Sequence, residues 1–192
     1  LICRQTSLTE LKLFKNQLTA LPNKIGRLTS LVHLALSANH LQEIPDAIAN
    51  IFRLQRLYLD DNKLSEIPPC IFMLSQLMEL KVAGNGLLTI SPLVANLVSL
   101  QILDVSRNQL RDLPCEITQL STLSRFRLSR NNFSELSRFV GHIAHLKELD
   151  ISHNSLIQLP PEIAHLYFLE SLPCEGNDGL LSPPWSIIEQ GL

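Results

Sequence analysis

The chain has 192 residues, of which 45% are hydrophobic, so it is long enough to bury one continuous core. Sixteen basic residues against eighteen acidic residues give a formal charge of −2, which provides no overall basic field for nucleic acid or an anionic membrane. No apolar run approaches the roughly 20 residues that span a bilayer. We therefore predict one domain over 1–192, without nucleic-acid binding or membrane insertion.

The chain opens on 1–7, which we interpret as the end of a preceding repeat. Ile2 falls in the isoleucine column of such a unit, but no strand of that unit is present. The charged and apolar zones of a signal peptide are lacking as well. We expect the natural protein to extend beyond Leu1.

Seven full repeats follow over 8–168, and leucine opens each of them every 23 residues, with one further match at 169. Each unit reads L-x-x-L-x-L-x-x-N-x-L-x-x-L-P-x-x-I-x-x-L-x-x. The asparagine column contains Asn16, Asn39, Asn62, Asn85, Asn108, Asn131, Asn154 and Asn177. Two columns held in one register over the whole chain are the signature of a stacked repeat array.

Each part of the repeat predicts a local structure. The L-x-L alternation indicates a short strand with its leucines turned inward. The asparagine amide can bond backbone groups where the chain turns, and the proline before Ile-x-x-Leu starts a short helix or 3₁₀ turn. We predict an α/β solenoid, a curved array with a parallel sheet on its concave face and short helices or 3₁₀ turns on its convex face.

The segment 169–192 is a degenerate eighth repeat that we interpret as a C-terminal cap. It keeps Leu169, Leu172 and Asn177 but has Cys174 in a core column and Gly179 where leucine belongs. A terminal repeat must close a core that would otherwise stay open.

The outward positions of the repeat, numbers 2, 3, 5, 7 and 8, supply the candidate partner-binding residues. We single out Tyr58 as an aromatic anchor in an uncharged patch with Met78, and the column of Arg107, Arg130 and His153 as a cluster without an adjoining carboxylate. Acidic neighbours in adjacent repeats favour simple ion pairing for three other candidates, namely Arg56, Arg125 and Arg127.

The sequence contains no motif that supports catalysis. It has no phosphate-binding loop, dinucleotide fingerprint, metalloprotease motif or nucleophile elbow. His142 and His165 share a column, but no acidic or cysteine ligand lies in register, and the four cysteines lack disulfide or zinc spacing. We predict no enzyme activity, no metal, no cofactor and reduced thiols.

These columns resemble the leucine-rich repeat family, specifically its 23-residue intracellular class with L-P-x-x-I-x-x-L. The chain is similar to Ras-signalling scaffold proteins, to the arrays that precede GTPase domains in Roco proteins and to those of fungal adenylyl cyclases; the segment 182–191 resembles the exit of the Roco arrays. The resemblance implies a cytoplasmic scaffold or adaptor in signalling, with a protein partner such as a small GTPase or a phosphatase on the concave face.

Two alternatives stay open, and the oligomeric state is not predicted. The chain can instead be the regulatory module of a larger enzyme, such as a Roco GTPase or a cyclase. It can also be an extracellular recognition domain, to which the glycosylation sequence Asn132-Phe133-Ser134 would belong.

Overall fold

A computed structural model describes residues 2–181. Seven strands form one parallel sheet in strict chain order, and each strand pairs only with its neighbours in sequence. The strands are β1 (Glu10–Lys12), β2 (His33–Ala35), β3 (Arg56–Tyr58), β4 (Glu79–Lys81), β5 (Ile102–Asp104), β6 (Arg125–Arg127) and β7 (Glu148–Asp150). We number the repeats 1 to 7, from 8–30 to 146–168.

The register of the sheet equals the sequence period. Every residue of a strand faces the residue 23 positions later, as in Leu11 opposite Leu34 and Leu80 opposite Leu103. The inward leucines therefore stack in columns and join into one hydrophobic core that runs through all seven repeats. The predicted solenoid of stacked repeats, with one parallel sheet and one strand per repeat, is confirmed.

In the described chain, the segments that lead from one strand back to the next contain 3₁₀ helices. The sequence had predicted either short helices or 3₁₀ turns here. The 3₁₀ helices span Ile2–Arg4, Asn23–Arg27, Asp46–Asn50, Pro69–Met73, Pro92–Asn96, Cys115–Gln119, Arg138–His142 and Pro161–His165. The residue before each five-residue helix is extended, except Ser137 before Arg138–His142, and Pro22 at φ −72° is the first example. Where serine replaces this proline in repeat 4, the Ser91 hydroxyl caps the helix by accepting from the Leu93 amide.

The eighth repeat adds no full strand within the described residues. Up to residue 181, it is joined to the sheet by a parallel bridge between Glu148 and Ser171 and by backbone hydrogen bonds such as that from the Ile151 amide to the Pro173 carbonyl. Leu172, Cys174 and Leu180 still pack partly buried against the core. Residues 182–192 of the cap predicted over 169–192 lie outside the described residues.

The asparagine column forms a continuous hydrogen-bonded ladder under the turns that follow the strands. Asn39 is representative: its Nδ2 donates to the carbonyls of Leu36 and of Leu13 in the preceding repeat, and its Oδ1 accepts from the Leu18 amide. Asn16, the first of the column, is exposed and bonds only carbonyls of its own turn. The predicted backbone-satisfying role of this column is confirmed.

Among residues 2–181, no helix combines the length and the hydropathy that crossing a bilayer requires.

Candidate functional site

The strand face consists of the outward side chains at positions 2, 3, 5, 7 and 8 of each repeat. A groove of about 530 Å³ crosses this face over repeats 1 to 6. Small side chains line its middle, at Ala35, Ala38 and Ala83, so the larger groups of neighbouring columns enclose an open space. A surface of this kind can admit side chains of another molecule.

Tyr58 lies in this groove. The sequence suggested a freely accessible ring, but the side chain is half-buried and contacted on several sides. Its hydroxyl donates to Glu79 at 2.7 Å, and the edge of its ring meets His33 with the ring centroids 4.9 Å apart. The Lys81 ammonium lies 4.6 Å from the ring centroid. Burial and the hydrogen bond to Glu79 raise the pKa of Tyr58 to about 12, so the phenol is neutral at physiological pH.

Glu79 connects two of these groups, which corrects the ion pair expected for Arg56. Glu79 bonds Lys81 at 2.9 Å and accepts from Tyr58, whereas Arg56 forms no salt bridge within residues 2–181 although it faces Glu79 across the sheet. Burial raises the pKa of Glu79, but hydrogen bonds from Lys81 and Tyr58 outweigh it and leave a net lowering. The Arg56 side chain is left exposed on the strand face.

The ion pairs expected for Arg125 and Arg127 are present. Arg127 Nε lies 2.9 Å from Glu148 and its Nη1 lies 3.8 Å from Asp104, while Arg125 Nε lies 3.7 Å from Glu148. The hydrogen bond from Arg127 to Glu148 raises the pKa of Arg127. The nearest partner of Arg127 is thus Glu148, not the Asp150 that lies directly opposite it.

The prediction of an unpaired cluster at Arg107, Arg130 and His153 is wrong for Arg107. Arg107 Nη1 bonds Asp61 at 2.9 Å across Gly84, two repeats away in the same column. Arg130 is exposed and has no salt bridge within the described residues, and His153 is exposed with its ring close to Gly176. The cluster therefore reduces to Arg130 with His153.

Met78 is half-buried immediately before β4 and does not line the groove. Sequence reasoning missed several groove residues, among them Asp60, Asp61 and His33. Among the seven full repeats, Asp60 is the only acid at position 7, where the other six have phenylalanine, serine or alanine, so a comparison within that column could have found it.

No arrangement for catalysis or metal binding is found in the described part of the chain. His142 and His165 lie with their ring centroids 6.2 Å apart, but residues 2–181 contain no group of three or more potential ligands placed to hold a metal ion. The four cysteines are free thiols, and burial raises the pKa of both Cys70 and Cys174.

A parallel sheet backed by 3₁₀ returns, one of each per 23 residues, defines a solenoid protein with an open sheet face. Models of the leucine-rich repeat match residues 6–64, 52–110 and 145–166. The chain belongs to the leucine-rich repeat family. Arrays of this family are in general protein-interaction modules without catalytic activity.

Solved structures of the family superpose closely on the chain. A leucine-rich repeat protein of Leptospira interrogans is 28% identical over the whole chain with a TM-score of 0.78. The ectodomain of the Arabidopsis thaliana receptor kinase GASSHO1/SCHENGEN3, in complex with CASPARIAN STRIP INTEGRITY FACTOR 2, is 34% identical over 93% with a TM-score of 0.77. The plant peptide hormone receptor RGFR1, in complex with RGF2, is 28% identical over 91% with a TM-score of 0.79.

The chain spans 55%, 22% and 29% of these three proteins respectively, so each of them is much longer. Comparison with curated proteins gives no significant match.

Proposed function

We propose that the strand face binds a protein partner and that the groove around Tyr58 is the centre of the contact. The observation that carries this proposal is the groove itself, an open space of about 530 Å³ among side chains from several adjacent repeats. Concave faces of repeat arrays gather residues from many strands onto one surface, whereas convex turns are spread apart. A partner that enters the groove contacts several repeats at once.

The fixed position of Tyr58 supports its role as an anchor. Its hydrogen bond to Glu79 and its contacts with His33 and Lys81 restrain the ring before any partner arrives. A side chain that is already ordered loses little conformational entropy on binding. Tyrosine is also among the residues that contribute most to binding energy at interfaces.

The arginines of this face that form no salt bridge can attract a protein partner electrostatically over a distance. Arg130 and Arg56 are exposed and form no salt bridge within residues 2–181, whereas Asp61 offsets the charge of Arg107. A charge without a local counter-ion accelerates the encounter with an oppositely charged protein. We therefore assign electrostatic steering to Arg130 and Arg56 and not to Arg107.

In the cell, the chain acts in this proposal as a cytoplasmic scaffold or adaptor in signalling that docks a small GTPase or a phosphatase. The L-P-x-x-I-x-x-L repeats, which resemble those of the intracellular class, support this role. The same resemblance supports the first alternative, a regulatory module of a larger Roco GTPase or cyclase in which catalysis lies in another domain.

A second candidate function is extracellular recognition of a peptide or protein. The likeness to two plant receptors whose structures contain a bound partner favours it, and Asn132 is exposed within its glycosylation sequence. Secretion of the chain with glycan at Asn132 would support this candidate against the cytoplasmic one.

A binding comparison between the two faces tests the proposal. The Tyr58→Ala/Arg130→Glu double variant changes the strand face, and Lys24→Glu, in an exposed 3₁₀ position, is the convex control. With a partner isolated by affinity purification on the wild-type chain, we expect the double variant to bind at least about tenfold more weakly and the control to bind as wild type. Loss of binding in the control alone would place the interface on the convex face. Circular dichroism confirms that each variant is folded.

A further inference from the structure

The groove contains one carboxylate that no cation of the described chain balances. This group is Asp60, which follows β3 and is half-buried. The two other acids that line the groove each have a basic partner: Asp61 with Arg107 at 2.9 Å, and Asp104 with Arg127 at 3.8 Å. Asp60 forms no salt bridge within residues 2–181. A buried charge without a counter-ion is costly, so its environment needs explanation.

Two neutral donors hold the Asp60 carboxylate in a fixed orientation. The Ser37 hydroxyl donates to Oδ2 at 3.0 Å from repeat 2, and the Ala83 amide donates to Oδ1 at 3.1 Å from repeat 4. These bonds orient the group without neutralising it. Burial raises the pKa of Asp60, and repulsion from Asp104 adds to this effect, while the two hydrogen bonds oppose it.

Two basic groups that line the groove, Lys81 and Arg107, are engaged with other carboxylates. Lys81 bonds Glu79 at 2.9 Å and lies over the Tyr58 ring, and Arg107 bonds Asp61. Ala83 lies next to Asp60 in the groove, and its small side chain leaves room above the carboxylate. The space therefore combines an oriented negative charge, a restrained aromatic ring and small side chains.

We propose that the groove receives an arginine or lysine side chain of an extended segment of the protein partner, with Asp60 as its counter-ion. The aliphatic part of this side chain packs against Ala83 and Tyr58, and the cationic end bonds Asp60. A hydrogen bond between two charged groups in a partly desolvated site is stronger than a neutral one. This inference rests on the proposed function, because it identifies the chemistry that the strand face recognises.

Peptide selection on the intact chain tests the inference. Random 12-residue peptides displayed on phage are selected on the wild-type chain, and synthetic peptides of the selected sequences are measured by calorimetry. Asp60→Asn removes the charge and keeps the amide-accepting oxygen, and Glu66→Gln is the matched control at an exposed site of the same repeat. We expect the peptides to share one basic residue, and Asp60→Asn to weaken them about tenfold or more while Glu66→Gln changes nothing.

Replacement of the basic peptide residue by uncharged citrulline or norleucine should weaken binding to wild type, and Asp60→Asn should then cause little further loss. Peptides that depend on Tyr58 or Arg130 but bind Asp60→Asn as wild type would overturn the basic-side-chain inference and leave strand-face binding intact. If selection gives no peptide, or only peptides insensitive to every strand-face variant, both this inference and the proposed function are wrong.

Discussion

At the residue scale, each buried asparagine satisfies backbone groups of two repeats. Asn108 Oδ1 accepts from the Leu87 amide of the preceding repeat at 3.0 Å, and Asn108 Nδ2 donates to the carbonyls of Val82, Val105 and Ser106. At the turn, the Leu87 amide and the Val82 and Val105 carbonyls have no backbone partner, whereas the Ser106 carbonyl also accepts from the Gly84 amide. One side chain therefore replaces a set of backbone hydrogen bonds that the turn removes.

We expect Asn108→Ala to lower the free energy of unfolding by about 2 kcal/mol, because it leaves the buried Leu87 amide without a partner and removes one of the hydrogen bonds to each of three carbonyls. Asn16→Ala should cost less than about 1 kcal/mol, since Asn16 is exposed and its bonds are accessible to water. Urea unfolding of both variants measures the difference. Similar losses would mean that the ladder does not stabilise the array in this way.

Asp60 provides a test of stability against pH. Its pKa is raised in the folded chain from an ordinary value of 3.8, so the folded state holds this proton more tightly than the unfolded state. Ionisation of Asp60 therefore lowers stability as the pH rises through its folded pKa. We expect Asp60→Asn to have a higher thermal midpoint than wild type at pH 7, with the gap closing below about pH 3.8, where both states are protonated. A lower midpoint at pH 7 would contradict this.

The ion pairs and hydrogen bonds of the charged side chains could be predicted from the sequence only in part. Columns predict which residues are neighbours, and they correctly paired Arg125 with Glu148. They do not predict diagonal contacts, so the Tyr58 bond to Glu79 and the pairing of Arg127 with Glu148 were missed. Long side chains choose among several partners within reach, and that choice depends on rotamers that the sequence does not specify.

At the scale of the element, the turn after each strand imposes a left-handed backbone at position 8. The φ angle there is positive at Lys15, Ala38, Asp61, Gly84, Arg107, Arg130, His153 and Gly176. Only two of these eight residues are glycine. The asparagine ladder and the stacked neighbours thus hold ordinary residues in a conformation that costs each of them about 1 kcal/mol or more.

Gly84 has a second role: because it lacks a side chain, the side chains of Asp61 and Arg107 can meet above it. A Cβ atom at Gly84 would collide with Asp61 Oδ1 and lie 3.2 Å from the Arg107 guanidinium. The ion pair spans two repeats for this reason, which a comparison of adjacent repeats could not reveal.

We expect Gly84→Ala to destabilise the chain by about 1–3 kcal/mol, through its φ of +63° and displacement of the ion pair. Gly86→Ala is the matched control two residues later, where φ is not positive and the nearest atom to a new Cβ, the Leu64 carbonyl oxygen, is 3.3 Å away. Chemical denaturation compares the two. Equal losses of stability would indicate that the left-handed backbone at position 8 imposes no extra strain on alanine.

The return segments show how far a local pattern can specify an element. Proline before Ile-x-x-Leu predicted a short helical step, but the spacing of three fits both a 3₁₀ turn and one turn of α-helix. The choice follows from the bonds that form, from the Ile25 amide to the Pro22 carbonyl and from the Leu28 amide to the Ile25 carbonyl. Five residues between fixed ends are too few for an α-helix to gain its own hydrogen bonds.

At the scale of the whole molecule, the period of 23 determines the architecture. It fixed the strand order, the register and the core columns in advance, because stacking is the way for each unit to cover its leucines. The candidate site was less predictable. Its groove arises where small residues of repeats 2 and 4 lie beside Tyr58 and Asp60 of repeat 3, and no single column contains that arrangement.

The same architecture predicts that the cost of removing a core leucine depends on its place in the array. Leu103 is 0% exposed in β5, with strands on both sides, whereas Leu21 is 9% exposed in repeat 1 and Leu11, in the same column as Leu103, is 5% exposed in the edge strand β1. In a one-dimensional stack each repeat is stabilised by its neighbours, and a terminal repeat has fewer of them. A cavity near the end can therefore be relieved by local fraying, while a central cavity cannot.

For the 192-residue chain, we expect Leu103→Ala to cost about 3–5 kcal/mol and Leu21→Ala and Leu11→Ala to cost clearly less, nearer about 2 kcal/mol. Urea unfolding measures the loss, and hydrogen exchange measured in parallel should show repeat 1 opening before repeat 5. Leu11→Ala keeps the residue type and column of Leu103 and changes only its place, so it separates position from chemistry. Equal losses of unfolding free energy at all three sites would show that the chain unfolds as a single unit, with terminal repeats as stable as the central ones.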